Sequence, residues 1–361
     1  MDFQRSHLRV DDVLEIGEPG SICKEFNPLP TPYAGSGKTA TRLIAAGASN
    51  DRSLVALMEN GGDITIWRTG DGKLVRRFAS GHHFQPESGE GLLLFNPQNT
   101  LLAEGGVDGF VRVWSVPKGK LRFTLSHSAT RDSLRDSTGR NVLNFSAAHV
   151  YQMAFTHDGK LLGTTGGWRA YTWSMKTGKV VATLSGTGKD GLRRPTHIVT
   201  ALHPTRFITS DESGALNVYL PTDGRPLLSA SAKASPFGKL AASPDGRWIV
   251  YRIGYDSLAV WSVREGRTTM RFSPPPFMGT AVFSPDSKRF AIAGFSDALF
   301  IWEVESGRPA ASVHGLARGA TDFWFSASGD SIVYQSQFAK ELYVVPTLSS
   351  QLARFKSGLR R

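Results

Sequence analysis

The chain has 361 residues, 40% hydrophobic and 20% charged, with a mean hydropathy of −0.20 and a net charge of +11. Such a balance excludes a disordered chain. No apolar run approaches the ~20 residues of a membrane-spanning helix, so no membrane insertion is expected. A single cysteine, Cys23, rules out an internal disulfide framework.

The lone cysteine fits a reducing compartment, with the cytoplasm expected and the nucleus or an organelle matrix left open. Excess positive charge favours acidic partners: nucleic acid, anionic lipid or an acidic protein face.

Residues 1–38 precede the first regular pattern. Met1 to Asp12 has no apolar core and carries Asp2, Asp11 and Asp12, so no signal or transit peptide is expected. Val13-Leu14-Glu15-Ile16 either adds a strand to a sheet edge or lies across one face of the fold. Pro28 to Pro32 is an extended connector. Gly35-Ser36-Gly37-Lys38-Thr39 invites a phosphate-loop reading. Pro32 stands where that motif needs glycine, and the next predicted element is a strand rather than a helix.

From Thr39 onward the chain repeats. Each unit has an alternating run that ends in an aromatic, a glycine turn, and a further strand. The aromatics are Trp67, Trp114, Trp173, Tyr219, Trp261 and Trp302, with Val345 in a weaker last copy. The turns hold Asp71-Gly72, Lys118-Gly119, Thr177-Gly178, Asp223-Gly224, Glu265-Gly266 and Ser306-Gly307. Period-two alternation marks strands, and glycine accepts the positive φ of a tight turn. Upstream of most aromatics lies a second hairpin, with turns such as Phe155-Thr156-His157-Asp158-Gly159 and Phe283-Ser284-Pro285-Asp286-Ser287.

Each unit is therefore four short strands, a to d, at a period of about 45 residues. The fold expected is all-β, a single seven-bladed propeller of four-stranded antiparallel blades over residues 39–356, with a basic tail at 357–361. One blade cannot bury both faces alone; packing blade on blade around an axis does so. The strand-c aromatic should then sit between neighbours.

This pattern resembles the WD-repeat family over about residues 39–356, with degenerate repeats. No unit has the Trp-Asp pair: the residue after the aromatic is Arg68, Ser115, Ser174, Leu220, Ser262 or Glu303. Gly81-His82 matches the family's Gly-His, and His127 and His314 fall at similar places. Asp63, Asp108, Asp256 and Asp297 fall in or near the b–c turns. The resemblance implies a stapling network of Asp, His and Trp, and so a structural role for these histidines.

Two insertions depart from the period, 126–144 and 185–197, each joining strand d to the next strand a. In this architecture they share an end with the b–c loops, and loops on a rigid scaffold carry binding residues. The candidate partner-binding residues are Arg131, Arg135, Arg140, Lys189, Arg193 and Arg194 on the insertions, with Trp168, Arg169, Arg252, Tyr255, Phe295 and Lys340 on the b–c loops. Aromatics beside arginines suit protein hot spots and also stacking on single-stranded RNA. No motif for a metal, cofactor or nucleophile is found. The expectation is a non-catalytic scaffold within a larger protein assembly, not a homo-oligomer by itself. An RNA or ribonucleoprotein subunit is the first alternative and a propeller enzyme with an axial site the second.

Overall fold

The computed structural model describes residues 43–346, apart from 60–61, 70, 81–90, 107, 128–148, 167–168, 185–194, 202–204, 212, 236–239, 255–256, 273–276, 295–297, 314–319, 327 and 337–341. Its strands group into consecutive antiparallel sheets. The first holds β1 (Leu43–Ala48), β2 (Leu54–Glu59), β3 (Asp63–Arg68) and β4 (Leu74–Ala79). The second holds β5 (Leu92–Phe95), β6 (Leu101–Gly105), β7 (Phe110–Ser115) and β8 (Lys120–Ser126). The third holds β9 (Val150–Phe155), β10 (Leu161–Gly166), β11 (Arg169–Ser174) and β12 (Val180–Leu184).

Next come β13 (Pro195–Ala201), β14 (Arg206–Asp211), β15 (Ala215–Tyr219) and β16 (Pro226–Ser231). The fifth sheet is β17 (Ala241–Ala242), β18 (Trp248–Ile253), β19 (Ser257–Ser262) and β20 (Arg267–Phe272). The sixth is β21 (Phe277–Phe283), β22 (Arg289–Gly294), β23 (Leu299–Glu303) and β24 (Pro309–Val313). Last come β25 (Ala320–Phe325), β26 (Ser331–Ser336) and β27 (Leu342–Pro346).

The protein is thus an all-β propeller with six four-stranded blades, not the seven expected. Its last sheet has three strands among the described residues. The sequence of this unit also departs from the others. Val345 replaces the aromatic, Pro346 follows it, and no glycine stands in the next five positions to make the c–d turn. The three-stranded sheet still meets the first blade, because Trp324 packs with Val55 and Leu57.

Every c-strand aromatic packs toward the preceding sheet. Trp114 joins Met58, Ile64 and Ile66 of blade 1. Trp173 joins Val111 and Val113 of blade 2. Tyr219 joins Ala170 and Leu184, Trp261 joins Ile208 and Leu216, and Trp302 joins Val250 and Val260. Trp67, half-buried, lies against the cluster that holds Trp324. Burying side chains of this size stabilises by about 1.5–3 kcal/mol each.

In all six blades the c–d register slips one residue at the aromatic, as where Thr172 opposes Ala182 but Trp173 opposes Val180. A bulge there sharpens the local twist. It also leads into the glycine turn that rests on the previous blade. Gly178 sits at φ +68°, and a Cβ on it would lie 2.5 Å from Phe123 Cδ1 of blade 2. Both the dihedral and the contact require glycine.

The a–b turns are locked differently. Ser49, Thr156, Ser243 and Ser284 each donate a hydroxyl hydrogen bond to an aspartate two residues on, at 2.6–2.7 Å. The same oxygens accept the amides of Leu54, Leu161, Trp248 and Arg289. Partial burial pushes Asp51, Asp158, Asp245 and Asp286 up. The hydroxyl and amide donors outweigh it, and all four sit below the ordinary carboxylate range.

A candidate partner-binding end on blade 3

Register places the two insertions. In blade 3, Gly166 opposes both Arg169 and Val150, and Ala170 opposes Leu184. So Val150, Gly166, Arg169 and Leu184 form one row across one end of the blade. The chain arrives from the first insertion at Val150 and leaves for the second at Leu184. Both insertions therefore flank the same b–c hairpin, while the Asp-locked turns and glycine turns lie at the opposite end.

Arg169 opens β11 and is exposed. Arg252 is half-buried on β18, and its carbonyl accepts the Ser235 amide at 2.7 Å. Arg131, Arg135, Arg140, Trp168, Lys189, Arg193, Arg194, Tyr255, Phe295 and Lys340 lie outside the described residues, as do His82, His314, Asp256 and Asp297.

The row carries groups that the sequence pattern did not single out. His149 and Tyr151 approach to 5.2 Å between ring centroids, and Tyr151 lies 6.5 Å from His197. His149 follows the first insertion and His197 closes the second, a recurrence visible in the sequence once the insertions are aligned. Gln152 Nε2 donates 2.9 Å to the Leu240 carbonyl, reaching from blade 3 to the start of blade 5. Gly166 has no room for a side chain: a Cβ would lie 2.4 Å from the His149 carbonyl. The b–c hairpin is pressed onto the strand that receives the first insertion.

Beneath this end, His127 is buried and meets Tyr171 edge-on at 5.0 Å. Burial pushes its pKa down to about 4, with the Arg169 charge acting in the same direction and backbone hydrogen bonding opposing. The imidazole is neutral at pH 7 and belongs to the core under the site. Trp173 Nε1 donates to Thr164 Oγ1 at 2.8 Å beside it.

The Asp–His–Trp staple implied by the family resemblance is built from other partners. Trp114 donates to Glu104 and Trp67 to Thr65, each at 2.9 Å. Asp63 pairs with Arg77 and Asp108 with Arg112, each at 2.8 Å. The fullest buried polar network is in blade 4. Asp211 accepts from Ser213, Ala215 and Asn217, and Asn217 accepts from Ser229. Nearby Tyr219 is pushed up to about 12 by burial and the Asp211 charge, offset in part by a Thr209 hydrogen bond. Asp211 and Asn217 are fully buried at the centre of this network and Ser213 and Ser229 are exposed at its ends, which suits rigidity.

Among the described residues, no group of three or more His, Cys, Asp or Glu could hold a metal ion, and no helix is long and apolar enough to cross a membrane. Comparison with protein-family models and with curated proteins finds no match for the chain.

Proposed function

We propose that the chain is a non-catalytic, WD-repeat-like scaffold that receives protein partners at the b–c end of blade 3 within a larger assembly. In this reading the protein works in a reducing compartment, the cytoplasm. The observation that carries the proposal is the convergence of both insertions on one hairpin. The insertions carry six arginines and lysines, and exposed Arg169 opens a strand of the hairpin they flank. A rigid ring sealed by buried aromatics would bind without ordering cost to the scaffold itself.

The test is affinity purification in mild salt, with and without nuclease, comparing the natural chain with Arg193→Glu/Arg194→Glu. Protein partners that survive nuclease and are lost in the variant support the scaffold. The net charge of +11 favours a second reading, RNA or ribonucleoprotein binding. Under that reading the partners vanish with nuclease and binding falls steeply with salt.

A further inference from the structure

The outer strands of the six blades are not equivalent. Among the described residues, the large exposed hydrophobics are Leu74, Leu121, Val180, Val181, Leu227 and Leu228, all on β4, β8, β12 and β16; β20 and β24 carry none. An outer strand also leaves one row of backbone amides and carbonyls without a neighbouring strand, a template for pairing. β8 is the longest of these edges, at seven residues. It alternates Lys120, Arg122 and Thr124 on one face with Leu121, Phe123 and Leu125 on the other. Lys120, Leu121, Arg122 and Thr124 are exposed. Neither cation has an ion pair among the described residues; Arg122 lies over the Phe123 ring at 5.3 Å.

Each other edge holds at most one cation that lacks an ion pair among the described residues. On β4, Arg76 donates to the Pro117 carbonyl and Arg77 is paired with Asp63. β16 and β24 begin with proline, which cannot donate to a ladder. β12 and β27 hold no cation. β20 carries two cations, Arg267, held by Glu265 at 2.6 Å, and exposed Arg271.

The chain contains a segment complementary to β8. Val10 to Glu18 reads Val-Asp-Asp-Val-Leu-Glu-Ile-Gly-Glu, four carboxylates and no cation in a protein of net charge +11. As a strand it alternates too: Asp11, Val13 and Glu15 on one side, Asp12, Leu14 and Ile16 on the other. Laid along β8 with Leu14 and Ile16 beside Leu121 and Phe123, it sets Glu15 beside Arg122. Opposite charges and apolar pairs across strands stabilise the pairing. Residues 17–42 lie between this segment and β1, and 26 residues extend up to about 85 Å. A four-stranded blade is only about 15–20 Å wide. The tether therefore reaches, and it raises the local concentration of the segment.

We propose that Asp11–Ile16 docks on the outer edge of β8 as a fifth strand of blade 2. The acidic segment faces the edge whose two cations have no ion pair among the described residues, and covers its exposed leucine. Docking there also closes the edge to other chains.

The experiment uses the full chain with Cys23→Ser and nitroxide labels at Gly17→Cys and Thr124→Cys, read by pulsed electron spin resonance. The account expects a short, narrow distance distribution that becomes long and broad when Lys120→Glu and Arg122→Glu are added. Labels at Gly17→Cys and Arg271→Cys on β20 should give a broad distribution in either background. A broad distribution to position 124, or a short narrow one to position 271, overturns the proposal. So does a short distance that arises only on mixing singly labelled chains, which would make the occupant a second copy.

Discussion

The two ends of this propeller are built from different chemistry. At one end the a–b and c–d turns recur blade after blade. A Ser or Thr hydroxyl bridges to an aspartate in four of the a–b turns, and a left-handed glycine in the c–d turn of blade 3 rests on the blade before it. At the other end, connections differ in length and composition, and the longest, between β8 and β9, leads into blade 3. The contrast teaches where this ring is constrained by closure and where it carries individuality. A turn that touches its neighbour cannot vary without moving the ring; a loop that leaves a strand end can.

The contrast can be broken hardest at the constrained end. Gly178→Ala should destabilise by about 2–3 kcal/mol, because the methyl meets Phe123 and the positive φ is costly for alanine. Urea unfolding measures this. Combining it with Phe123→Ala should recover part of the loss relative to the sum of the single changes, since the clash disappears.

The next effect lies under the variable end. His127 titrates near 6.5 when unfolded and near 4 when folded, so the unfolded chain binds the extra proton. Stability is full above about pH 6.5 and falls as the pH drops, by about 2 kcal/mol at pH 5. His127→Gln should flatten that limb of a pH series of unfolding curves. A limb of equal size in the variant would show that His127 is not its source.

A smaller effect belongs to the a–b turns. Asp245 is held below its ordinary value by Ser243 and Arg247 against the opposing effect of burial. Its contribution is present above about pH 4 and lost as pH falls further. Asp245→Asn should cost about 1 kcal/mol at pH 7 and nothing measurable at pH 2.5, by thermal unfolding. The smallest effect on stability is expected at the insertions. Arg193→Glu with Arg194→Glu should leave unfolding within about 1 kcal/mol while weakening partner binding.

The repeat was legible because its signals are local. Alternation, an aromatic and a glycine turn lie within some fifteen residues, and each has one backbone reading. The same locality misled at the last unit. Val345 sat at the aromatic position and suggested a complete blade, whereas the last sheet has three strands among the described residues. Polar partners were less legible still. Family resemblance put Asp63 and Asp108 in a histidine staple, whereas each finds an arginine across or along its own sheet. The approach of Tyr151 to His197, and of Gln152 to the Leu240 carbonyl, depends on ring closure between segments far apart in sequence. No short window carries that information.

The central claim is that partners engage the insertion end of blade 3. Its most direct test is photo-crosslinking from two positions in the same blade, a photoreactive residue in place of exposed Arg169 and, separately, in place of Lys160 in the a–b turn at the opposite end. The account predicts protein adducts from position 169 that resist nuclease, and none from position 160. Equal adducts from both positions, or adducts from position 160 alone, would contradict it.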